Sequence, residues 1–221
     1  MTADQAIFTS MFRQGKAGYH VVARSPGVSD SEANAIVAWS PSHGGLAIDA
    51  FNRVSVNFFP LPSGRYAVAR SREGRGEYSG RGGRQVFTRA VLFDSERLRH
   101  SAHNPFRIYR DALTLGHLHY RSDPASVLPA VEFFALPPSQ SLHEESPPII
   151  ENEFESGTLD KVVSQLNAGQ AVVLAHSGDR LILGEHLIRR LSPDVVLRTS
   201  LSTSLVPSSV RPFRLNLVAG K

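Results

Sequence analysis

The sequence predicts an α+β fold with a mostly antiparallel sheet, about four helices, and a strand–helix–strand unit in the C-terminal third. Roughly eight segments are apolar and rich in β-branched residues, and turn signals separate them. About four other segments carry apolar residues at helical spacing. The two kinds of segment do not alternate regularly, which argues against a doubly wound parallel sheet.

The N-terminal region is predicted to begin with a β-hairpin. Apolar runs at residues 5–12 and 19–24 lie on either side of a glycine-containing turn. Ser29 and Glu32 have the spacing of a capping box, so a helix is expected to begin there. Pro41 ends that helix because proline lacks the amide hydrogen that a helix interior needs.

Three strands are predicted in the middle of the chain. Residues 54–61 and 65–70 are connected by a Pro-Ser-Gly turn, and residues 85–93 are β-branched and aromatic. The intervening segment 71–84 is rich in Gly and Arg, which predicts a loop or the tip of a long hairpin.

A second helix and a connecting segment are predicted next. Asn104 is placed to cap a helix with Pro105 at its first position, and residues 131–136 are a possible strand. Residues 137–157 hold four Pro, five acidic residues and no basic residue, a composition typical of a linker.

The C-terminal region is predicted to hold two helices, the first capped by Thr158 and the second beginning near Asp179. Strands are expected at residues 170–175, 195–201 and 213–218. If the first two of these strands share a sheet, the helix between them makes a right-handed crossover.

We therefore expect residues 1–221 to form a single globular domain. Its larger lobe would span residues 1–136 and its smaller lobe residues 158–221, with the Pro- and acid-rich segment 137–157 connecting them.

Composition excludes several classes of function. The absence of Cys rules out a disulfide framework, a thiolate metal site and a cysteine nucleophile. No apolar run is long enough for a membrane span, and the N-terminus lacks a signal-peptide pattern, so we expect a cytoplasmic protein without a membrane partner.

The small net charge of +4 hides two opposed blocks. Residues 53–110 carry twelve Arg and four acidic residues, whereas residues 111–160 carry one Arg and nine acidic residues. Either the basic block presents a surface to nucleic acid or another polyanion, or the acidic block folds against it and neutralises it.

No complete catalytic constellation is present. None of the three Lys lies in a phosphate-binding loop of the Walker type. His117 and His119 would share a face if they lay on a strand, but a metal site needs a third ligand, and Asp123 is the only nearby carboxylate. Ser177 follows a predicted strand without the flanking glycines of a nucleophile elbow. We predict no catalytic residue, no metal and no cofactor.

Short motifs, in order along most of the chain, resemble those of a bacterial family, the GTPase-associated protein 1, N-terminal domain type 2. The segments that carry the resemblance are Gln5–Ser10, Gly18–Gly27, Phe51–Ser55, Leu61–Tyr66, Tyr78–Gly83, Val86–Thr88, Thr199–Leu201 and Arg211–Leu215.

The resemblance implies a non-enzymatic adaptor or interaction domain that works beside a dedicated GTPase in a bacterial conflict or defence system. It implies a protein partner, with the GTPase the first candidate. The alternative is a module that binds nucleic acid or an anionic ligand through the 71–84 segment. The candidate binding residues are Asn52, Arg53, Tyr78, Arg81 and Arg84. A structural role, such as Asn52 forming a turn or an Arg bracing a loop, is the competing interpretation.

Overall fold

The computed structural model describes residues 2–12, 17–76, 83–122, 124–132 and 151–220. The described residues form nine strands: β1 (Thr2–Ser10), β2 (Tyr19–Arg24), β3 (Val54–Pro60), β4 (Tyr66–Gly76), β5 (Arg84–Phe93), β6 (Val131–Glu132), β7 (Val172–His176), β8 (Leu201–Ser202) and β9 (Leu215–Ala219). They also form six α-helices: α1 (Asp30–Trp39), α2 (Ser95–His100), α3 (Pro105–Thr114), α4 (Thr158–Asn167), α5 (Arg180–Arg189) and α6 (Pro193–Arg198).

The strands join into one sheet in the order β2-β1-β5-β4-β3-β8-β9-β7, and β6 pairs with the start of β1. Pairing is antiparallel from β2 to β8 and parallel between β8, β9 and β7. The predicted α+β class and the mostly antiparallel sheet are confirmed. The C-terminal strands extend the same sheet, because Leu201 of β8 pairs with Phe58 of β3.

The sheet buries apolar side chains on both faces. Successive residues of a strand point to opposite faces, so both faces can carry a core where helices cover them. Helix α1 covers one face, where Ile36 is fully buried and Trp39 stacks on Phe59 at 5.4 Å between ring centroids. The other helices cover the opposite face. Its core includes Phe58, Val68, Val91, Leu98, Ile108, Leu159, Leu183, Leu187, Val196 and Leu217.

The prediction of a strand at residues 195–201 is wrong over most of its length. Residues 193–198 are helix α6, and only Leu201 and Ser202 form strand β8. Ser192 at the N-cap and Pro193 in the first turn set up the helix, and these local signals outweigh the β-branched pair Val195 and Val196. The crossover argument also changes, because β9 lies between β7 and β8.

The structure differs from the sequence predictions at two further helices. Gly157, with φ of 82°, is the N-cap of α4, so Thr158 is its first helical residue rather than its cap. Helix α2 was not predicted, although Asp94 caps it by accepting a hydrogen bond from the Arg97 amide at 2.8 Å. Most of the predicted linker at 137–157 lies outside the described residues, which resume at residue 151. The same holds for the last four residues of the strand predicted at 131–136.

A buried ion cluster gives a structural role to the family-like motif Leu61–Tyr66. The Arg65 guanidinium donates to both carboxylate oxygens of Glu32 at 2.8 Å and to Asp4 at 2.6 Å. Burial of Glu32 opposes its ionisation, but hydrogen bonds from Arg65, Ser63 and the Ser29 cap lower its pKa to about 2. The predicted capping box is thus confirmed, and it is part of a clamp between α1 and the β3–β4 turn.

Candidate protein-interaction surface

The sheet topology gathers several loops at one end. Ser10 pairs with Tyr19, Val54 with Arg72, and Gly76 with Arg84, so β1 and β4 end where β2, β3 and β5 begin. We call this part of the surface the hairpin end. Its described residues are 10–12, 17–19, 49–54, 72–76 and 83–85.

The C-terminal strands also point their carboxyl ends toward the hairpin end. Strand β7 ends at His176, and the turn after it reaches the loop before β3, where the Asn52 side-chain amide donates to the Gly178 carbonyl at 3.0 Å. The surface is therefore built from both halves of the chain.

Exposed arginines and phenylalanines dominate the hairpin end. The four arginines there, Arg53, Arg72, Arg75 and Arg84, are all exposed. Phe51 is 77 % exposed and Phe12 is 64 % exposed. Aromatic and arginine side chains are enriched in protein–protein interfaces, where they supply most of the binding energy.

The described acidic residues at this end leave most of that positive charge uncompensated. Arg84 Nε lies 3.8 Å from Glu73 Oε2, and both side chains are largely open to solvent, so screening leaves this pair weak. The Arg72 guanidinium lies 5.5 Å from the centre of the Tyr120 ring. This cation–π contact holds the Arg72 side chain against the sheet. Asp49 is engaged by a buried arginine, as described below.

Gly83 is required by the shape of the hairpin. Its φ of 100° is one that L-residues rarely adopt, and a Cβ there would lie 2.7 Å from His43 Cε1. Strand β4 extends to Gly76, which pairs with Arg84 of β5, so the described ends of the Arg/Gly segment belong to a long hairpin. Tyr78 and Arg81, both candidate binding residues, lie outside the described residues.

Asn52 differs from its exposed neighbour Arg53, because it is a buried structural residue. Its side-chain amide donates to Asp49 Oδ1 at 3.0 Å as well as to Gly178. Its side-chain oxygen accepts from the Arg180 amide at 3.0 Å. These contacts support the structural interpretation of Asn52.

Sequence reasoning missed Arg180, which is fully buried at the start of α5. Its guanidinium donates to the Thr203 and Ala47 carbonyls, each at 2.8 Å, and lies 2.8 Å from Asp49 Oδ2. Partial burial of Asp49 opposes its ionisation, but hydrogen bonds from Asn52 and the Arg180 charge hold its pKa below the ordinary value. This network fixes the loop that carries Phe51 and Arg53.

The structure also bears on metal binding and on membrane insertion. Within residues 2–12, 17–76, 83–122, 124–132 and 151–220, no three His, Asp or Glu side chains cluster as metal ligands do. His117 lies in a turn after α3 rather than on a strand. No helix in the described part of the chain is long and apolar enough to cross a membrane.

Comparison with known proteins gives one family. The family model described as GTPase-associated protein 1, N-terminal domain type 2, matches residues 2–134, which include β1 to β6 and the predicted binding residues. No similar curated protein and no similar solved structure was found. The match covers more than half of the 221 residues, and the chain therefore belongs to the GTPase-associated protein 1, N-terminal domain type 2 family.

Proposed function

We propose that this chain is a non-enzymatic interaction domain of a bacterial conflict or defence system, acting in the cytoplasm, and that it binds an acidic surface of its GTPase through the hairpin end. The family name supports the association with a GTPase. The proposal adds the adaptor role, the surface and the charge of the partner.

The observation that supports this proposal most directly is the group of four exposed arginines and two exposed phenylalanines at a single end of the sheet. An exposed phenylalanine gains free energy when a partner removes it from water. Arginine binds carboxylates through a planar, two-pronged set of N–H donors. A surface with both groups suits a protein partner that offers an apolar recess beside Asp or Glu.

Rigid support strengthens the proposal. The loop that presents Phe51 and Arg53 is held by Asn52 and Arg180 at its base, and its own Asp49 caps the Phe51 amide at 2.9 Å. A fixed loop loses little conformational entropy on binding, which raises affinity.

The experiment measures binding of the full chain to the GTPase encoded beside its gene, loaded with GDP or with a non-hydrolysable GTP analogue. The Arg53→Ala, Arg84→Ala double variant should weaken binding at least about tenfold, because it removes two exposed charges from the interface. Phe51→Ala should weaken binding comparably.

Arg99→Ala is the control for loss of surface charge away from the hairpin end. Arg99 is exposed on α2, at the opposite end of β5, so its loss changes the net charge without touching the hairpin end. Absence of binding in both nucleotide states, or equal weakening by Arg99→Ala, would contradict the proposal.

The second candidate, binding of nucleic acid, rests on the same exposed arginines. It predicts that affinity for single-stranded RNA falls steeply with salt and that Arg81→Ala with Arg84→Ala reduces it. Exposed phenylalanines can also stack on unpaired bases, so they do not separate the two candidates. The GTPase association carried by the family name favours the protein partner. RNA binding that persists at physiological salt, without any GTPase binding, would replace the first proposal with the second.

A further inference from the structure

A cleft of about 390 Å³ opens on the face of the sheet opposite α1, and its lining includes no hairpin-end residue. Its floor is formed by two sheet residues, and its walls by the chain after α3 and the segment before β6. The residues that matter for its chemistry are Gln5, Arg89, Leu115, His117, Arg121 and Leu128.

Arg89 is the central feature of this cleft. It is 2 % exposed in the middle of β5, and among the described residues its guanidinium donates to uncharged oxygens. The acceptors are the carbonyls of Gly116 and His119, at 3.2 and 3.3 Å, and the side-chain oxygen of Gln5, at 2.5 Å. Its buried Nε–H has no hydrogen-bond partner among the described residues.

Other arginines of the chain that are similarly buried have a carboxylate partner. Arg180 pairs with Asp49, and Arg97 pairs with Asp111 at 2.9 Å. A buried guanidinium without a counter-charge is costly, since its charge has lost the stabilisation of water. Arg89 therefore stands out as a buried cation whose neighbours supply dipoles rather than an opposite charge.

The surroundings of Arg89 add positive charge to the cleft. None of the described residues that line the cleft carries a carboxylate. Arg121 and His117 line it together with Arg89. Burial and the nearby Arg121 charge lower the pKa of Arg89 to about 10. Burial, together with the charges of Arg89 and Arg121, also lowers the pKa of His117.

We propose that this cleft binds a small organic anion whose single phosphate or carboxylate head lies between Arg89 and Arg121. The unsatisfied Nε–H of Arg89 supplies a donor for the head, and the exposed Arg121 adds a second charge. Leu115 and Leu128 form apolar walls against which a short apolar body packs.

The size and charge of the cleft exclude other occupants. A volume of about 390 Å³ suits one small molecule and is too small for a folded partner or a nucleic-acid strand. Metal cations are disfavoured because the two guanidinium groups repel them. The lining includes none of the hairpin-end residues, so this site is independent of the proposed GTPase interface.

The test is a two-dimensional NMR titration of the full chain with phenyl phosphate, benzoate, inorganic phosphate and neutral benzamide. At least one of the two aromatic anions should bind saturably, with shifts centred on residues 115–121 and 128–131. Tighter binding of phenyl phosphate would identify a phosphate head, and tighter binding of benzoate a carboxylate head. Benzamide should bind at least about tenfold more weakly, because it carries no charge.

Variants separate the site from general attraction of anions. Arg121→Gln should lower the affinity for the tighter-binding aromatic anion at least about fivefold. The fold should stay intact, because Arg121 is exposed. Arg99→Gln, on α2, is the control with the same change in net charge and should leave affinity unchanged. Arg89→Met should abolish binding, with circular dichroism to confirm that the chain is folded.

Two results would overturn the proposal. One is the absence of saturable binding of either aromatic anion up to about 10 mM, which is weaker than any useful site of this kind. The other is equal loss of affinity in Arg121→Gln and Arg99→Gln. The Arg53→Ala, Arg84→Ala variant should retain anion binding, so failure of the GTPase interface leaves this result unaffected.

Discussion

Replacing Asn52 with Ala should destabilise the fold rather than merely weaken a binding surface. The substitution removes two donated hydrogen bonds, to Asp49 and Gly178, and one accepted from the Arg180 amide. The Arg180 amide then loses its partner at a buried position, and the Gly178 carbonyl loses its partner at a partly buried one. Each such loss costs about 1 to 2 kcal/mol, so the free energy of unfolding should fall by about 2 to 4 kcal/mol.

The assay is urea unfolding followed by fluorescence of Trp39, the only tryptophan. Trp39 lies between Phe59 and Phe213, so its emission reports on the packing of α1 against the sheet. With a typical dependence on urea of about 2 kcal/mol per molar, the midpoint should fall by about 1 to 2 M.

Arg53→Ala is the matched control, because it changes the next residue, whose side chain is exposed. Its unfolding free energy should stay within about 0.5 kcal/mol of the unaltered chain. If Asn52→Ala were equally harmless to stability and yet abolished partner binding, Asn52 would be a contact residue and the buried network would not have the role assigned to it.

Further predictions concern the ion cluster and the continuity of the sheet. The folded-state pKa of Glu32, about 2, lies below its ordinary 4.5, so the stability it contributes is present above pH 4.5 and lost as pH falls toward 2. That loss should be about 3 kcal/mol, and acid titrations of unfolding should show a flatter profile in Glu32→Gln. Gly27→Ala should lower the free energy of unfolding by about 1 to 3 kcal/mol, because its Cβ would lie 2.4 Å from an Asp4 carboxylate oxygen; an unchanged melting temperature would refute this. A chain ending after residue 136 should bind a hydrophobic dye strongly, because it lacks the β8 partner of β3 and half of the apolar core on the sheet face opposite α1; a cooperative, dye-free fold would contradict a single domain.

Local signals predicted much of the fold. The β1–β2 hairpin, the Ser29 capping box and the start of a helix near Asp179 each depend on residues a few positions apart, and all three are confirmed. At residues 193–198, two local signals conflicted. There the β-branched pair suggested a strand, but Ser192 and Pro193 began a helix.

Long-range contacts were beyond prediction. The parallel pairing of β7 with β9 joins segments whose apolar patterns do not specify a partner. Likewise, Asn52 lies 126 residues from Gly178, so its burial followed from the fold and not from its neighbours in sequence.

The candidate surface was partly predictable. Arg53 and Arg84 were singled out from the sequence, and the structure places them at one end of the sheet because β3 and β5 both begin there. Arg89 and Arg180 could not be distinguished from the remaining arginines by sequence, since their burial and their different partners depend on tertiary contacts.

The most direct test of the proposed interface is the affinity of the full chain for its neighbouring GTPase, measured calorimetrically with the Arg53→Ala, Arg84→Ala variant and with Arg99→Ala. We predict saturable binding in at least one nucleotide state, at least about tenfold weaker in the double variant and unchanged in Arg99→Ala. Binding that survives the double variant unchanged would contradict the assignment of the hairpin end as the docking surface.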